Sequence, residues 1–167
     1  MSNKKLYIIR HAKAEIPTWE KKDFDRNIMD KGAVRAQYIA SKLKDILIVD
    51  DKTAVISSTA NRAIQTAHIF CASLGFPVHN ILQTKAVYEA YYQDILHIIN
   101  QIPDHINTVL VFGHNPGLSD LTNYICNSYI DLKTSHVAVI DLEEGIDFAS
   151  LSGGTGTLTQ TITEHLS

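Results

Sequence analysis

The alternation of short apolar runs with longer amphipathic stretches is the feature that most constrains the fold of this chain. Short runs rich in β-branched residues predict buried strands, and apolar residues three and four positions apart predict helices. The pattern predicts strands at 6–9, 54–56, 86–88, 108–112, 136–142 and 157–162, and helices at 31–47, 61–74, 94–102 and 116–126. Strands that alternate with helices predict an α/β fold, here a three-layer sandwich with a mostly parallel central sheet.

Glycine, asparagine and proline residues mark the ends of two predicted helices. Gly75 is a natural C-terminal stop for the helix at 61–74. Asn115 as N-cap and Pro116 at the first helical position predict that a further helix begins directly after His114.

Several predicted strands end at residues that can bind or transfer a phosphoryl group. These residues are Arg10-His11, Ser57-Ser58, Glu89 and His114. Because ligands of parallel α/β sheets bind at the carboxyl ends of the strands, these side chains are expected to share one site.

The residue types in this set suit the chemistry of phosphate. The guanidinium of Arg10 offers a planar fork of donors, and a neutral imidazole such as that of His11 is a nucleophile when its other nitrogen is held. Arg62 lies in the first turn of a helix, where a cation gains nothing from the helix dipole but a bound anion would. His114 at a helix start is expected to have a lowered pKa unless an anion is close, and Glu89 is a candidate acid or base. Each residue also has an ordinary structural explanation, such as a solvated arginine or a histidine packed in a turn.

Composition and charge limit the other functional classes. The chain has 167 residues, 45% of them hydrophobic, and a net charge of −3, which fits one domain over 1–167 and gives no basic field for nucleic acid or an anionic membrane. The apolar run at 6–9 is too short for a signal peptide or a membrane span, and two cysteines form no CxxC pair, so a cytoplasmic location is expected. No HExxH motif or paired ligand spacing predicts a metal, and Gly153–Gly156 lacks the context of a nucleotide-binding loop, so no cofactor is expected.

Five segments of the sequence together resemble the histidine phosphatase superfamily, which has the phosphoglycerate-mutase-like fold. Residues 6–12 are similar to the RHG signature, 26–32 to R-x-L-T-x-x-G, 55–66 to S-x-x-x-R-A-x-Q-T, 113–116 to the block with the second histidine, and 134–135 to a T-S pair. Within the superfamily, the chain most resembles the small SixA-type phosphohistidine phosphatases. Ala12 replaces the glycine of the first signature, and Ile28 and Met29 replace the usual L-T pair.

The resemblance implies roles for individual residues. His11 is the implied nucleophile, and Arg10, Arg62 and His114 complete the implied phosphate pocket. Arg26 and Ser57 are weaker candidates on the substrate side. Glu89 lies where larger relatives place their acid. Trp19 and Phe24 either pack on the core or rim the pocket.

The expected function is therefore that of a metal-independent phosphatase that works through a phosphohistidine on His11. The interval from Tyr88 to Thr108 has room for one helix and not for the large helical insertion of mutase-like relatives, so an open pocket and a phosphohistidine protein as substrate and partner are expected. Two alternatives stay open: a phosphatase of the same mechanism for small phosphomonoesters or phosphoserine proteins, and a non-catalytic module that binds phosphate.

Overall fold

The computed structural model describes residues 4–165, which hold six strands and four helices. The strands are β1 (Lys5–Arg10), β2 (Thr53–Ser58), β3 (Leu82–Thr84), β4 (Thr108–Gly113), β5 (Val137–Leu142) and β6 (Gly156–Ile162). The helices are α1 (Asp30–Lys44), α2 (Asn61–Leu74), α3 (Tyr92–Asn100) and α4 (Gly117–Cys126). Short 3₁₀ turns are formed by Asp23–Asp25, Val78–Asn80 and Lys85–Val87.

The six strands form one mixed sheet in the order β3-β2-β4-β1-β5-β6. The four strands from β3 to β1 are parallel neighbours, whereas β5 and β6 join as antiparallel strands. In the register of β1 and β4, Arg10 lies opposite Gly113. The carboxyl ends of β1, β2 and β4 therefore meet at one edge of the sheet, as the sequence predicts for its candidate site.

Helices cover both faces of the sheet because its central strands are apolar on both sides. Along β1, Tyr7 and Ile9 point into one buried cluster, which includes residues of α1 and α2. Leu6 and Ile8 point into a second buried cluster with residues of α3 and α4. This arrangement confirms the predicted three-layer sandwich without a large helical insertion. Among residues 4–165, no helix is both long and apolar enough to cross a membrane.

The helix predicted at 61–74 has the same bounds in the structure. It ends because Gly75 adopts a left-handed conformation, with φ +83°, and its N–H donates to the carbonyl oxygen of Cys71 at 2.9 Å. At the start of α4, the side-chain oxygen of Asn115 accepts hydrogen bonds from the N–H and the hydroxyl of Ser119, but the N-cap is Pro116 and not Asn115 as predicted. The helix itself begins one residue later than predicted, at Gly117.

The strand predicted at 86–88 is wrong. The strand of this segment is β3, Leu82–Thr84, and residues Lys85–Val87 form a 3₁₀ turn. The hydroxyl oxygen of Thr84 accepts from the N–H of Ala86 at 3.1 Å, which starts the turn. Val87 belongs to this turn, and its side chain is buried in the core. Its apolar character therefore reflects core packing and not a strand. Glu89 consequently does not lie at a strand end.

Candidate active site

His11 and His114 leave the sheet at the same edge, directly after β1 and β4. The N–H of His11 donates to the carbonyl oxygen of Gly113 at 3.0 Å, which ties the two strand ends together. Their ring centroids are 5.3 Å apart, and both side chains are buried. Arg62 comes from the first turn of α2, which follows β2, and Arg10 is the last residue of β1. The structure thus brings the four predicted residues to one edge of the sheet.

The imidazole of His11 is fixed in one tautomer. Its Nδ1 lies 2.7 Å from the carbonyl oxygen of Ala12. A carbonyl only accepts, so Nδ1 carries the proton and Nε2 keeps its lone pair. Burial lowers the pKa of His11 to about 4, and the charges of Arg62 and Arg10 add to this effect against the opposing hydrogen bond to Ala12. At neutral pH this ring is neutral, with a lone pair on Nε2.

Ala12 is held by the helix that carries Arg62. The N–H of Ala12 donates to the hydroxyl oxygen of Thr66 at 2.8 Å, and that hydroxyl donates to the carbonyl oxygen of Arg62 at 2.7 Å. The Ala12 side chain is fully buried in the core cluster beneath α1 and α2. The methyl group that replaces a glycine of the superfamily signature therefore packs inside the protein.

The two arginines are each held from one side. Nη1 of Arg10 donates to the carbonyl oxygen of Leu132 at 3.0 Å. Nη1 of Arg62 donates to the carbonyl oxygen of Asp23 at 2.7 Å, and its Nη2 to Oδ2 of the same residue at 3.0 Å. The Nε atoms of both arginines are buried and have no hydrogen-bond partner. Burial lowers the pKa of Arg10, while Asp131 acts in the opposite direction.

His114 is held in the same manner. Its Nε2 lies 2.8 Å from the hydroxyl oxygen of Ser58, which also accepts from the N–H of Ala60 at 3.2 Å. Its Nδ1 is buried without a partner. Burial, followed by the nearby His11 and Arg62, lowers the pKa of His114 to about 3, so this ring is also neutral at neutral pH. The sequence predicted the lowered pKa from the helix start, but burial is the largest cause.

Buried polar atoms without a partner are concentrated around these residues. In the part of the chain that the structure describes, they are Arg10 Nε, Thr59 Oγ1, Arg62 Nε, His114 Nδ1 and Ser135 Oγ. Ser135 adopts a left-handed conformation, and its N–H donates to the carbonyl oxygens of Arg10 and His11. An unpaired buried polar atom costs about 1–3 kcal/mol, and a tetrahedral oxyanion is a ligand that would pair several such donors at once. This concentration indicates an anion site.

Two residues of the site were not predicted from the sequence. Asp23 binds Arg62, and the hydroxyl of Tyr88 donates to Asp23 Oδ2 at 2.6 Å. The ring of Tyr88 packs edge-on against His114 at 5.4 Å and against Phe24 at 5.0 Å between centroids. Tyr88 therefore forms one wall of the site. The sequence signals that could have found them are positional: Asp23 lies three positions before the candidate Arg26, and Tyr88 directly precedes the candidate Glu89.

The remaining predicted residues lie around this centre. Arg26 donates through Nη1 to Asp23 Oδ1 at 2.7 Å and through Nε to the carbonyl oxygen of Glu15 at 2.9 Å, so it reaches the site through Asp23. Ser57 is fully buried, and its hydroxyl donates to the carbonyl oxygen of Ser58. Glu89 is exposed, with φ +52°, next to the wall residue Tyr88. Ser58, and not Ser57, contacts a histidine of the site.

Comparisons with known proteins identify the family of this chain. The sequence model of the histidine phosphatase superfamily (branch 1) matches residues 6–98, which is more than half of the chain. The chain belongs to this superfamily. The matched region includes His11, Arg10 and Arg62, and His114 lies beyond it. This member of the superfamily is accordingly a phosphatase, a hydrolase that acts on phosphoryl groups by a histidine mechanism. A search among curated proteins found no match.

Solved structures share the fold of this phosphatase over nearly its whole length. A protein of Agrobacterium tumefaciens that is named as the phosphohistidine phosphatase SixA is 24% identical, with a TM-score of 0.77 and coverage of 96% of this chain and 98% of the other. The protein histidine phosphatase SixA in complex with tungstate is 20% identical, with a TM-score of 0.79 and coverage of 96% and 97%. A mycobacterial glucosyl-3-phosphoglycerate phosphatase is 11% identical, with a TM-score of 0.65 and coverage of 93% and 97%.

Proposed function

We propose that this phosphatase removes the phosphoryl group from phosphohistidine in a protein, by way of a covalent phosphohistidine on its own His11. The observation that carries the proposal is the set of nitrogen atoms at the site that have no hydrogen-bond partner. A neutral His11 has a free Nε2, and Arg10, Arg62 and His114 each have one buried, unpaired nitrogen. A nucleophile beside three such nitrogens is the arrangement that phosphoryl transfer requires.

The first step forms a bond between His11 Nε2 and phosphorus and breaks the bond between phosphorus and the substrate imidazole. A phosphoimidazole that carries a proton on its other nitrogen departs as neutral imidazole, so the step needs no acid. In the second step water attacks phosphorus, the His11 Nε2–phosphorus bond breaks, and dihydrogen phosphate and neutral His11 remain. Arg10, Arg62 and His114 would hold the equatorial oxygens, on which charge is spread in the transition state.

The acidic groups near the site favour a nitrogen leaving group over an alkoxide. Burial alone would raise the pKa of Asp23, but hydrogen bonds from Tyr88, Arg62 and Arg26, together with the charge of Arg62, lower it to about 2. Asp23 is therefore ionised at neutral pH and has no proton to give. Glu89 is exposed beside the wall of the site. Expulsion of an alkoxide needs a strong proton donor, whereas imidazole, with a pKa near ~6.5, leaves readily.

Exposed apolar side chains on the two segments around the site favour a protein as the substrate. Ile16 and Trp19 lie on the segment that leads into Asp23, and they are 77% and 93% exposed. Tyr91, three residues after the wall residue Tyr88, is 77% exposed. Apolar and aromatic residues of this kind are typical of protein interaction surfaces.

The positive charge of Arg10 and Arg62 takes the role that metal ions have in other phosphoryl-transfer enzymes. The proposed reaction therefore uses no metal and no organic cofactor. Among residues 4–165, no group of three or more His, Cys, Asp or Glu side chains is placed to hold a metal ion.

The test compares wild type, His11→Ala and His68→Ala on a protein phosphorylated on histidine and on small phosphomonoesters. His68 is an exposed histidine of α2, so its variant is the matched control. We expect wild type and His68→Ala to hydrolyse the phosphohistidine protein and to form an acid-labile, base-stable phosphoryl-enzyme, and His11→Ala to do neither. A strong preference for small monoesters would refute the substrate class. Tight phosphate binding without any phosphoryl-enzyme would indicate a binding module instead.

A further inference from the structure

The guanidinium of Arg62 is held almost entirely by one residue of a different segment. Both of its terminal nitrogens donate to Asp23, one to the main-chain carbonyl and one to the carboxylate. The third nitrogen, Nε, is buried and unpaired. Since the guanidinium is planar and rigid, two fixed corners determine the direction of the third. The orientation of the Nε–H of Arg62 is thus set by Asp23.

Asp23 is itself held in place by two further side chains. Oδ2, which accepts from Arg62, also accepts from the hydroxyl of Tyr88 at 2.6 Å, and Oδ1 accepts from Arg26 at 2.7 Å. Arg26 is in turn fixed to the carbonyl oxygen of Glu15. A carboxylate with three charged or hydroxyl donors has little freedom to rotate, so it acts as a rigid support for Arg62.

We infer that Asp23 is a positioning residue of the phosphatase reaction, which orients Arg62 for the phosphoryl group and competes with that group for the positive charge of Arg62. This inference rests on the proposed function. The two parts of the role have opposite consequences for binding and for turnover. Loss of the carboxylate removes a negative charge near the anion site, which strengthens the binding of any phosphate. The same loss frees the guanidinium to rotate, which slows the chemical step.

The competition also has a use in the catalytic cycle. Two arginines in a buried site attract the product phosphate as well as the substrate, and a product that stays bound blocks the next turnover. The carboxylate of Asp23 pairs with Nη2 of Arg62 and reduces this attraction, while the Nε–H of Arg62 stays without a partner. Asp23 therefore favours release of inorganic phosphate.

The experiment uses Asp23→Asn with Asp25→Asn as the matched control. Asp25 belongs to the same 3₁₀ turn and is exposed, so its variant removes the same charge two residues away from the contact with Arg62. Binding of inorganic phosphate is measured by titration calorimetry, and kcat and KM are measured on a phosphohistidine protein. We expect Asp23→Asn to bind phosphate about 3–10-fold more tightly and to lose about 10–100-fold in kcat. Asp25→Asn should stay close to wild type in both.

Other results would overturn the inference. A purely structural role for Asp23 predicts weaker phosphate binding together with lower kcat, and a general charge effect predicts equal changes in both variants. If Asp23→Asn does not fold, Tyr88→Phe decides, because it removes the hydroxyl donor and keeps the charge. Lower kcat with unchanged phosphate affinity in Tyr88→Phe supports the inference, and unchanged kcat contradicts it. Phosphate binding is measured without turnover, so tighter binding by Asp23→Asn in a protein that hydrolyses nothing would contradict the proposed function and not the contact with Arg62.

Discussion

Lowering the pH should destabilise this protein through its two buried histidines. An unfolded imidazole takes up a proton as the pH falls through about 6.5. In the folded protein, His11 takes up its proton only near pH 4 and His114 near pH 3, because burial and the neighbouring charges disfavour the charged form. Between these pH values the unfolded state binds more protons than the folded state. The contribution of the two neutral histidines to the free energy of unfolding is therefore fully present above pH 6.5 and is lost as the pH falls towards 4.

The size of this loss follows from the two pKa values. At pH 5 each unfolded imidazole is almost fully protonated and each folded one is almost fully neutral. Relative to pH 7, this difference costs about 2 kcal/mol for each histidine and about 4 kcal/mol for the pair. Against a typical total stability of about 5–15 kcal/mol, the effect is large enough to measure.

Urea unfolding of wild type, His11→Asn and His68→Asn at pH 7 and pH 5 measures the effect. His11→Asn should lose about 2 kcal/mol less than wild type between the two pH values, because one of the two buried imidazoles is gone. His68→Asn removes an exposed histidine and should behave like wild type. An equal loss in wild type and His11→Asn would refute the conclusion that His11 is buried in its neutral form.

Two further predictions follow from the exposed segment before Asp23 and from the start of α1. Trp19→Ala should lower kcat/KM on a phosphohistidine protein by about 5–20-fold and leave hydrolysis of a small phosphoramidate unchanged. Ile48→Ala, which removes an 85% exposed side chain between α1 and β2, is the control, and an equal loss on both substrates would contradict a docking role for Trp19. Gly32→Ala should lower the free energy of unfolding by about 1–3 kcal/mol in urea, because the new Cβ would lie 2.4 Å from the carbonyl oxygen of Lys13. Unchanged stability would show that this contact relaxes freely.

The elements that the sequence predicts well are those with strong local signals. The helix at 61–74 has apolar residues at helical spacing and a glycine that must end it, so both of its bounds match the structure. The strand at 108–112 is a run rich in β-branched residues, in the middle of the sheet. By contrast, β3 is an edge strand of three residues, none of them buried, and it has no apolar pattern to reveal it. Val87 lies in a turn but its side chain is buried, so in the sequence it has the same apolar signal as a residue of a buried strand.

The residues of the site divide in the same way: some have local sequence signals, and others depend on contacts that are distant in the sequence. Arg10, His11, Arg62 and His114 stand at the ends of strong elements, so the sequence places them at one edge of the sheet. Asp23 acquires its role only through a contact with Arg62, which is 39 positions away, and its contact with Tyr88 spans 65 positions. Pairings of this kind depend on how the segments pack and have no periodic signal in the sequence. Only the packed structure reveals them.

Main-chain oxygens hold three of the side chains at the site. Nδ1 of His11 meets the carbonyl oxygen of Ala12, Nη1 of Arg10 that of Leu132, and Nη1 of Arg62 that of Asp23. Every amino acid supplies such an oxygen, so the acceptors at 12 and 132 persist when the side chains change. Substitutions at these two buried positions are limited by the volume and polarity of the side chain, and at position 12 also by the N–H that donates to Thr66. The carbonyl oxygens that pair with His11 and Arg10 would be kept through such substitutions as long as the backbone conformation at positions 12 and 132 does not change.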